Sequence, residues 1–450
     1  MIITKDTKIT AENVNAWINA FQHQPDQQPR LIKLGEYYDG LQDIKKQGAT
    51  AGRPNYSIHV NLATLITNIQ TGYFMGKPVD YNFKKEDTQL KDLLEQIDSN
   101  NFAEQENYSL ASDMSCYGVA YEVVMVDGEE NSTSDITKRL KFAKLDAENT
   151  FFVVDDSILQ HPVCAIYMYA VKDKNNVENW RGYIYTADEI IDFDMLGQQA
   201  VLGDRIQHQF GEIPVIEFRN NCDRKGDYEP VLEQLDALTL TVSNETDDLQ
   251  SIANAILGIY GATGTDDEVI EKINNTKVAK LPTGSKMEFI VKNVNIDAVK
   301  HQIDQNLKLI YQITQTPDLS DDSFGGNQTG VAMKYKLWGI EQCRGTKERY
   351  FRRSLYERLK LLFNILSLSK GQTIYDISKD IDFIFYKNLP DNDEEIVDIV
   401  NKLNGIVSTR TLLQQIPFVE DVDAELDDIN KEKKENAANE AAAFASYNEE

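Results

Sequence analysis

The chain lacks the cysteine and histidine pairings that a metal site or a disulfide framework requires. Its four cysteines, Cys116, Cys164, Cys222 and Cys343, are dispersed with no C-x-x-C pair, and the five histidines are scattered. This argues against a zinc site and for a reducing compartment. Long apolar runs are also missing. The longest, 163–171, is far short of the roughly 20 residues that cross a bilayer. The N-terminus has no basic region followed by an apolar core, so neither a membrane anchor nor a secretion signal is expected. The reading is a protein assembled in the cytoplasm of the producing cell, where sequons such as Asn131-Ser-Thr and Asn327-Gln-Thr mean nothing for glycosylation.

Positive charge is scarce. Lys and Arg number 46 against 73 Asp and Glu, giving a formal net charge of -27 and a pI near 4.6. Proteins that grip nucleic acid tightly do so with cations that displace counterions from phosphate, so high-affinity wrapping of DNA is not expected. An acidic surface suits plain solubility, and it equally suits a conduit through which DNA slides without sticking.

Catalytic motifs are missing as well. A P-loop needs G-x-x-x-x-G-K-[ST], because the glycines bring backbone N–H groups to phosphate while the Lys and hydroxyl complete the site. Gly325 and Gly330 have the glycine spacing, but Val331-Ala332 follows; Gly284-Ser-Lys286 and Gly345-Thr-Lys347 lack the upstream glycine. No G-x-S-x-G, H-E-x-x-H or Cys-His arrangement occurs. Asp318, Asp321 and Asp322 form a carboxylate cluster, but no Glu stands at the twelfth position of a cation loop, and a solvated acidic loop is the simpler reading. His59, His161 and His301 read as surface or half-buried residues. No catalytic residue, metal or cofactor is expected.

What is present is ample material for a core. Hydrophobic residues make up 41% and charged residues 26% of 450, which predicts two or more structural regions. Residues 1–30 read as an arm with one amphipathic stretch. Helical periodicity follows at 31–46, 58–74, 88–97 and 102–116. From 118 to 218 the chain is rich in Val, Ile, Tyr and Phe in short runs separated by turn signals, which predicts a mainly antiparallel sheet. A long amphipathic helix is predicted over 229–257, then a compact glycine-containing stretch, 262–294, with short strands at 277–281 and 287–291. A second helix is expected from a cap at Asp297 to a stop at Thr316-Pro317. A polar loop leads into a helical pattern over 331–368, in which Gly339 and Gly345 suggest a kink or a close contact. Strand-like 381–385, helices at 394–403 and 409–414 and a frayed polar tail complete the chain. There is no internal repeat.

One basic island breaks the acidic background: between Lys334 and Lys360 nine cations stand against three carboxylates. Its simplest role is a solvated helix face pairing with acidic neighbours. Its functional role would be a subunit contact through Arg344, Arg349, Arg352 and Arg353, or a brief touch on phosphate.

The order of these parts resembles the portal proteins of tailed double-stranded-DNA bacteriophages, in the branch typical of long-tailed phages of Gram-positive bacteria. Tyr37-Tyr-Asp-Gly40, Ile69-Gln-Thr-Gly-Tyr-Phe-Met-Gly-Lys-Pro78, Gly211-Glu-Ile-Pro-Val215 and Thr316-Pro-Asp-Leu-Ser-Asp-Asp-Ser-Phe-Gly-Gly-Asn-Gln-Thr-Gly-Val-Ala332 carry the resemblance, which runs from about residue 31 to 428. It implies an α+β portal fold: a wing at 31–226, a stem helix at 227–258, a small clip at 259–295 and a second stem helix at 296–315. A tunnel loop at 316–329, a kinked tunnel helix and wing return at 330–388, a helical crown at 389–430 and an acidic tail at 431–450 would follow. The tunnel loop would present Asp318, Asp321, Asp322, Ser323, Gly325, Gly326, Asn327 and Gln328 to DNA, with Leu319 and Phe324 as its few apolar anchors. The clip would offer Lys277, Lys280, Thr283 and Lys286 to the packaging motor or adaptor. The resemblance further implies a dodecameric ring at one capsid vertex, double-stranded DNA passing non-specifically, and terminase, capsid, scaffold, adaptor and tail proteins as partners. Two other readings stand beside it: another multimeric virion or scaffold protein without a channel, and a divalent-cation nuclease built on the Asp318 cluster.

Overall fold

The computed structural model describes residues 1–42, 55–84, 88–128, 135–172, 176, 178–197, 199–253, 256–260, 286–290, 295–319, 334–370, 380–387, 400–403, 405–413, 416, 419, 422, 425–426 and 428–433. The chain forms two compact units, Met1–Asp318 with Gly339–Lys387, and Leu319–Trp338 with Asn388–Glu450. Helices and sheets mix in the first, which is an α+β body. It opens with β1 (Ile2–Thr4), α1 (Ala11–His23), α2 (Gln28–Tyr38), α3 (Leu62–Met75), β2 (Asp80–Phe83), α4 (Thr88–Asn101) and α5 (Ala103–Tyr117). Next come β3 (Val119–Val126), the one-turn α6 (Ile136–Arg139), β4 (Leu140–Leu145), β5 (Thr150–Asp155), β6 (Pro162–Lys172), β7 (Glu178–Tyr185), β8 (Glu189–Leu196), β9 (Gln199–Gln207) and β10 (Val215–Arg219). The unit ends with α7 (Leu232–Ala253), β11 (Ile256–Tyr260), β12 (Lys286–Ile290), α8 (Ile296–Thr314), α9 (Trp338–Lys370) and β13 (Ile381–Ile384).

A six-stranded sheet runs β1-β5-β6-β7-β8-β9, with β1 parallel to β5 and the remaining pairs antiparallel. A three-stranded sheet runs β10-β3-β4, and β11-β12 and β13-β2 form antiparallel pairs. Strand β3 shows why the two larger sheets stay together. Its residues alternate between two cores: Ala120 and Val124 face helices α3, α4, α5 and α9, whereas Val119, Tyr121 and Val123 face the six-stranded sheet and α1. A strand covered on both faces needs apolar side chains at nearly every position, and β3 departs from this only at Glu122 before its exposed end. Between α5 and β3 the chain turns at Gly118, whose φ of 82° caps the helix and whose missing side chain lets the Arg224 carbonyl approach; a Cβ there would stand 2.1 Å from that oxygen.

Several expectations are corrected. Residues 1–30 are built into the body: Thr10 caps α1 by accepting from the Asn13 N–H at 3.2 Å, Trp17 and Ile18 are buried, and Phe21 stacks on Phe151 at 4.3 Å. Strands β8 and β9 add an edge that the sequence pattern did not suggest, because Asp192, Asp194, Asp204 and Arg205 interrupt it. Exposed charge of that kind on β9 blunts a sheet edge against pairing with another chain. The helix predicted over 229–257 begins as a 3-10 turn at Glu229–Val231 and stops at Ala253; Ile256, predicted on its face, lies in β11. β12 pairs with β11, and the strand predicted at 277–281 lies outside the described residues. The cap of α8 is Asn295, which accepts from the Ala298 N–H at 3.1 Å, and Asp297 sits in the first turn, where its charge suits the helix dipole. Of the 389–430 stretch, residues 400–403 are helical and Thr409–Leu413 forms a short helix.

Candidate functional site

Helices α7 and α8 carry the long amphipathic pattern. The antiparallel β11-β12 pair returns the chain, and α8 packs back on α7 and on the 3-10 turn before it. Leu235, Leu238 and Ile310 are fully buried against Leu34, Leu62 and Ile66 of α2 and α3, with Val242, Ile303 and Leu307 half-buried alongside. Polar contacts fix α7 from one side: the Tyr37 hydroxyl donates to Asp236 at 2.7 Å, Gln42 Nε2 to Thr239 Oγ1 at 2.8 Å, and the Ile58 N–H to Ser243 Oγ at 3.0 Å. Among the expected clip residues, Lys286 opens β12 opposite Tyr260 and is exposed; Lys277, Lys280 and Thr283 lie outside the described residues.

The exit of α8 is clamped. Gln70 Nε2 of α3 donates to the Thr314 carbonyl at 3.2 Å and to Thr316 Oγ1 at 3.1 Å, with all three residues buried. Gln315 closes the helix in the left-handed region, φ 54°, and its Oε1 accepts from the Cys343 thiol of α9 at 3.0 Å. Gly339 explains itself here, since a Cβ at that position would come within 3.2 Å of the Gln315 Cβ. The glycine makes the close contact that its place in a helix suggested. At Gly345 nothing lies within 4 Å of an added Cβ. Asp318 is half-buried just past this clamp, and Leu319, expected as an apolar anchor, is 60% exposed. Asp321, Asp322, Ser323, Phe324, Gly325, Gly326, Asn327 and Gln328 lie outside the described residues.

The basic island forms much of α9, and most of its charge is spent within the first unit. Lys347 is buried on Asp227, whose carboxylate also accepts from the Ser115 hydroxyl and from Asn220 Nδ2 at 2.9 Å. Arg352 bridges Glu348 at 2.7 Å and Asp382, and Lys360 pairs with Glu212. Arg358 makes a bidentate pair with Glu122, both bonds at 2.7 Å, in the apolar core. Burial works against the charged guanidinium, but the Glu122 carboxylate outweighs it; burial also pushes the Glu122 carboxyl up to about 7 against the pull of Arg358. Arg344, expected at a subunit contact, is buried between Glu341 and Glu348, and Arg352 is likewise committed inside the chain. Arg349 and Arg353 are exposed, the latter paired loosely with Glu357 at 3.2 Å. The partners Asp227, Glu122, Asp382 and Glu212 were not legible as such, because each lies far along the chain from its cation.

Glu341 is a second polar junction. It accepts from Arg344, from the Tyr73 hydroxyl at 2.8 Å and from Lys387 at 2.8 Å, thereby joining α9 to α3 and to the segment after β13. Burial pushes its carboxyl up, but these donors outweigh burial and hold it at about 2, below the ordinary 4.5. A depressed acid of this kind contributes stability that is complete above pH 4.5 and is lost as pH falls from there through 2. Glu341→Gln is therefore expected to lower Tm by roughly 2–4 °C at neutral pH and to flatten that part of the acid limb. Melting curves across the range check it; an unchanged acid limb would show that the junction contributes nothing.

A polar cleft of about 700 Å³ lies beside α9, and its cations are paired: Arg219 and Arg224 with Glu217, Arg353 with Glu357 and Lys360 with Glu212. Four cations there face three carboxylates, Glu217 being shared by Arg219 and Arg224. No group of three or more His, Cys, Asp or Glu among the described residues is placed to hold a metal ion, and no described helix is long and apolar enough to cross a membrane.

Comparison with known proteins gives these features a setting. Residues 19–439 match the family model described as phage portal protein, SPP1 Gp6-like. The portal protein of Clostridium phage phiCD119 is 24% identical over 418 residues, covering 87% of this chain and 90% of that protein. The portal protein of Bacillus phage SPP1 is 22% identical over 433 residues, covering 90% and 81%.

Proposed function

The chain belongs to the SPP1 Gp6-like family of phage portal proteins, and from that premise we propose that it builds the ring-shaped channel through which double-stranded DNA enters and leaves the capsid at one vertex. The observation that carries this is the extent of the match, residues 19–439, which takes in the α7-β11-β12-α8 hairpin, the 316–329 segment and α9. The protein is an oligomeric structural component of the virion. In the ring, twelve copies place α7 and α8 as stem, the β11-β12 stretch as clip toward terminase and later the adaptor, and 316–329 as the loop facing DNA. Scaffold and capsid proteins meet the wing.

Charge supports a wall that guides without gripping. Helix α7 carries Glu233, Asp236, Glu245, Asp247 and Asp248 and no Lys or Arg, and a like-charged wall repels phosphate where a basic one would bind it. With Arg344 and Arg352 used internally, the exposed Arg349 and Arg353 remain as the basic contribution to a subunit contact, facing acidic surface on the neighbour.

Negative-stain microscopy with a mass measurement tests the proposal. Closed rings with a central hole are expected from the purified chain, and Arg349→Glu with Arg353→Glu should shift the mass toward smaller species. A chain that stays monomeric at all concentrations would overturn the channel reading; unchanged rings in the double variant would remove only the arginine contact.

A further inference from the structure

The six-stranded sheet has one face in the core and one outside it. Ile166, Met168, Ile184, Ile191 and Phe193 point inward and are covered. Alternation sends Tyr167, Tyr169, Arg181, Tyr183, Asp192 and Asp194 to the opposite face. There cross-strand pairing sets Tyr167, Tyr183 and Asp192 in one row and Tyr169, Arg181 and Asp194 in the next. The three tyrosine rings lie side by side, Tyr169 standing 5.6 Å from Tyr167 and 6.0 Å from Tyr183 between centres, and they stay only half-buried. Val201 and Ile206 of β9 continue the face with apolar surface, 48% and 65% exposed. Its charges do not cancel. Arg181 is held by Asp194 at 2.7 Å. Between Ile191 and Phe193 the register shifts, so that Gly203 and Asp204 together oppose Asp192. The Asp192 carboxylate lies against Gly203, where an added Cβ would stand 2.4 Å from its Oδ1, and that covered oxygen meets no donor among the described residues. Asp204 is exposed, and among the described residues neither carboxylate has a cation partner.

We propose that this face docks a basic segment of another protein, with Arg or Lys heads on the Tyr167–Tyr169–Tyr183 row and against Asp192 and Asp204. Charge selects the occupant. Among the described residues the face sets one cation, Arg181, already taken, against the three carboxylates of Asp192, Asp194 and Asp204. A ligand that completes it must therefore bring donors and positive charge. Tyrosine rings attract cations through their π faces, and the alkyl stems of Lys and Arg cover apolar surface such as Val201 and Ile206. Where described cations of this chain do lie over rings, as Lys33, Arg352 and Arg358 do, the rings are elsewhere. Nucleic acid fits poorly, because sites that stack bases on aromatic rings pair them with cations that follow the phosphates. Here carboxylates stand in that place. The net charge of -27 draws a basic partner toward the chain, and the tyrosine row decides where it settles. The proposal goes beyond the channel reading and holds in any oligomeric state.

A fluorescently labelled hexa-arginine peptide is the probe, its anisotropy read against the full chain at physiological salt. Asp192→Asn with Asp204→Asn, which keeps side-chain shape, and Tyr169→Ala with Tyr183→Ala are each expected to weaken binding by about fivefold or more. Glu12→Gln with Asp92→Asn removes the same charge from exposed positions elsewhere and should change binding by less than about twofold. Tyr169→Phe with Tyr183→Phe keeps the rings and should retain binding, and circular dichroism checks that the alanine pair is folded. Equal losses in the two charge variants would show that the peptide reads net charge alone, and would overturn the site. So would an unsubstituted chain that does not bind, or unchanged binding in both the asparagine and the alanine pairs. Binding of labelled oligothymidylate or of maltohexaose that the alanine pair abolishes, with none of hexa-arginine, would overturn the basic occupant. A lower mass of the alanine pair without peptide would assign the face to a second copy instead.

Discussion

Arg358→Met is expected to lower the free energy of unfolding by about 3–5 kcal/mol, because it strands the Glu122 carboxylate in an apolar core. The guanidinium is 3% exposed and Glu122 fully covered. Its flat faces lie near Phe142, 4.5 Å from the ring centre, and Phe218, at 5.6 Å. Those rings reward a planar cation but cannot supply the two hydrogen bonds that Glu122 loses. With Arg358 present, burial already holds the Glu122 carboxyl at about 7, above its ordinary 4.5. Without Arg358 it must rise further. An acid whose folded value is raised stabilises fully below its unfolded value and loses that contribution as pH rises through the folded one. The deficit of Arg358→Met should accordingly be fullest above the raised value of the unpaired carboxyl and shrink as pH is lowered through that value to about 7, below which the parent's Glu122 takes up a proton as well. Glu122→Leu added to Arg358→Met should recover most of the loss, since an apolar pair of similar volume replaces two charges. Denaturant melts of the single and double variants check this, and a single variant as stable as the parent would contradict it.

The same pair shows what was legible in the sequence and what was not. Strand β3 lies within the 118–218 stretch whose short apolar runs predict sheet, and a strand buried on both faces between Gly118 and Asp127-Gly128 leaves few alternatives to its run of Val, Ala, Tyr and Met. Glu122 interrupts that run, and nothing local says that its partner stands 236 residues later. The basic island was visible as composition, but whether its cations face inward depends on the tertiary placement of Asp227, Glu122, Glu212 and Asp382. Ile256 misled for another reason. It continues the three-and-four spacing of α7, while Ile256-Leu-Gly-Ile-Tyr260 satisfies strand alternation equally, and pairing with β12 decides between them. Strand β8 and the edge strand β9 escaped because strands with one solvated side do not need an apolar run.

These internal pairs give α9 a consistent character. Contacts recur along it through Glu341, Lys347, Arg352, Ser354, Arg358, Lys360 and Asn364, reaching α3, the turn before α7, β13, β10, β3 and the segment before β10. Buried polar pairs contribute modestly to net stability but fix register strongly, since a slip of one turn would strand several charges together. A helix locked in this way holds its N-terminal end at a defined place, beside Gln315 and the end of α8.

That clamp is why shortening the adjoining loop should have a large and selective effect. Deleting Gly325 to Asn327 is expected to leave ring assembly and capsid incorporation unchanged while reducing encapsidated DNA several-fold. The chain entering the segment is held: Gln70 secures Thr314 and Thr316, and Cys343 and Gly339 meet Gln315. Fourteen residues, 320–333, separate Leu319 from Lys334. Eleven residues remain after the deletion, enough to span on the order of 35 Å when extended, so these two ends need not move. What changes is how far Asp321 and Asp322 reach from them, and in the proposed channel that distance sets how strongly their carboxylates act on passing phosphate. Asp321→Asn with Asp322→Asn removes the charge at constant length and serves as the companion variant should the deletion disturb rings. Counting rings by microscopy and measuring DNA per capsid in both variants settles the matter. Intact rings with wild-type DNA content in both would show that this segment does not act on the genome.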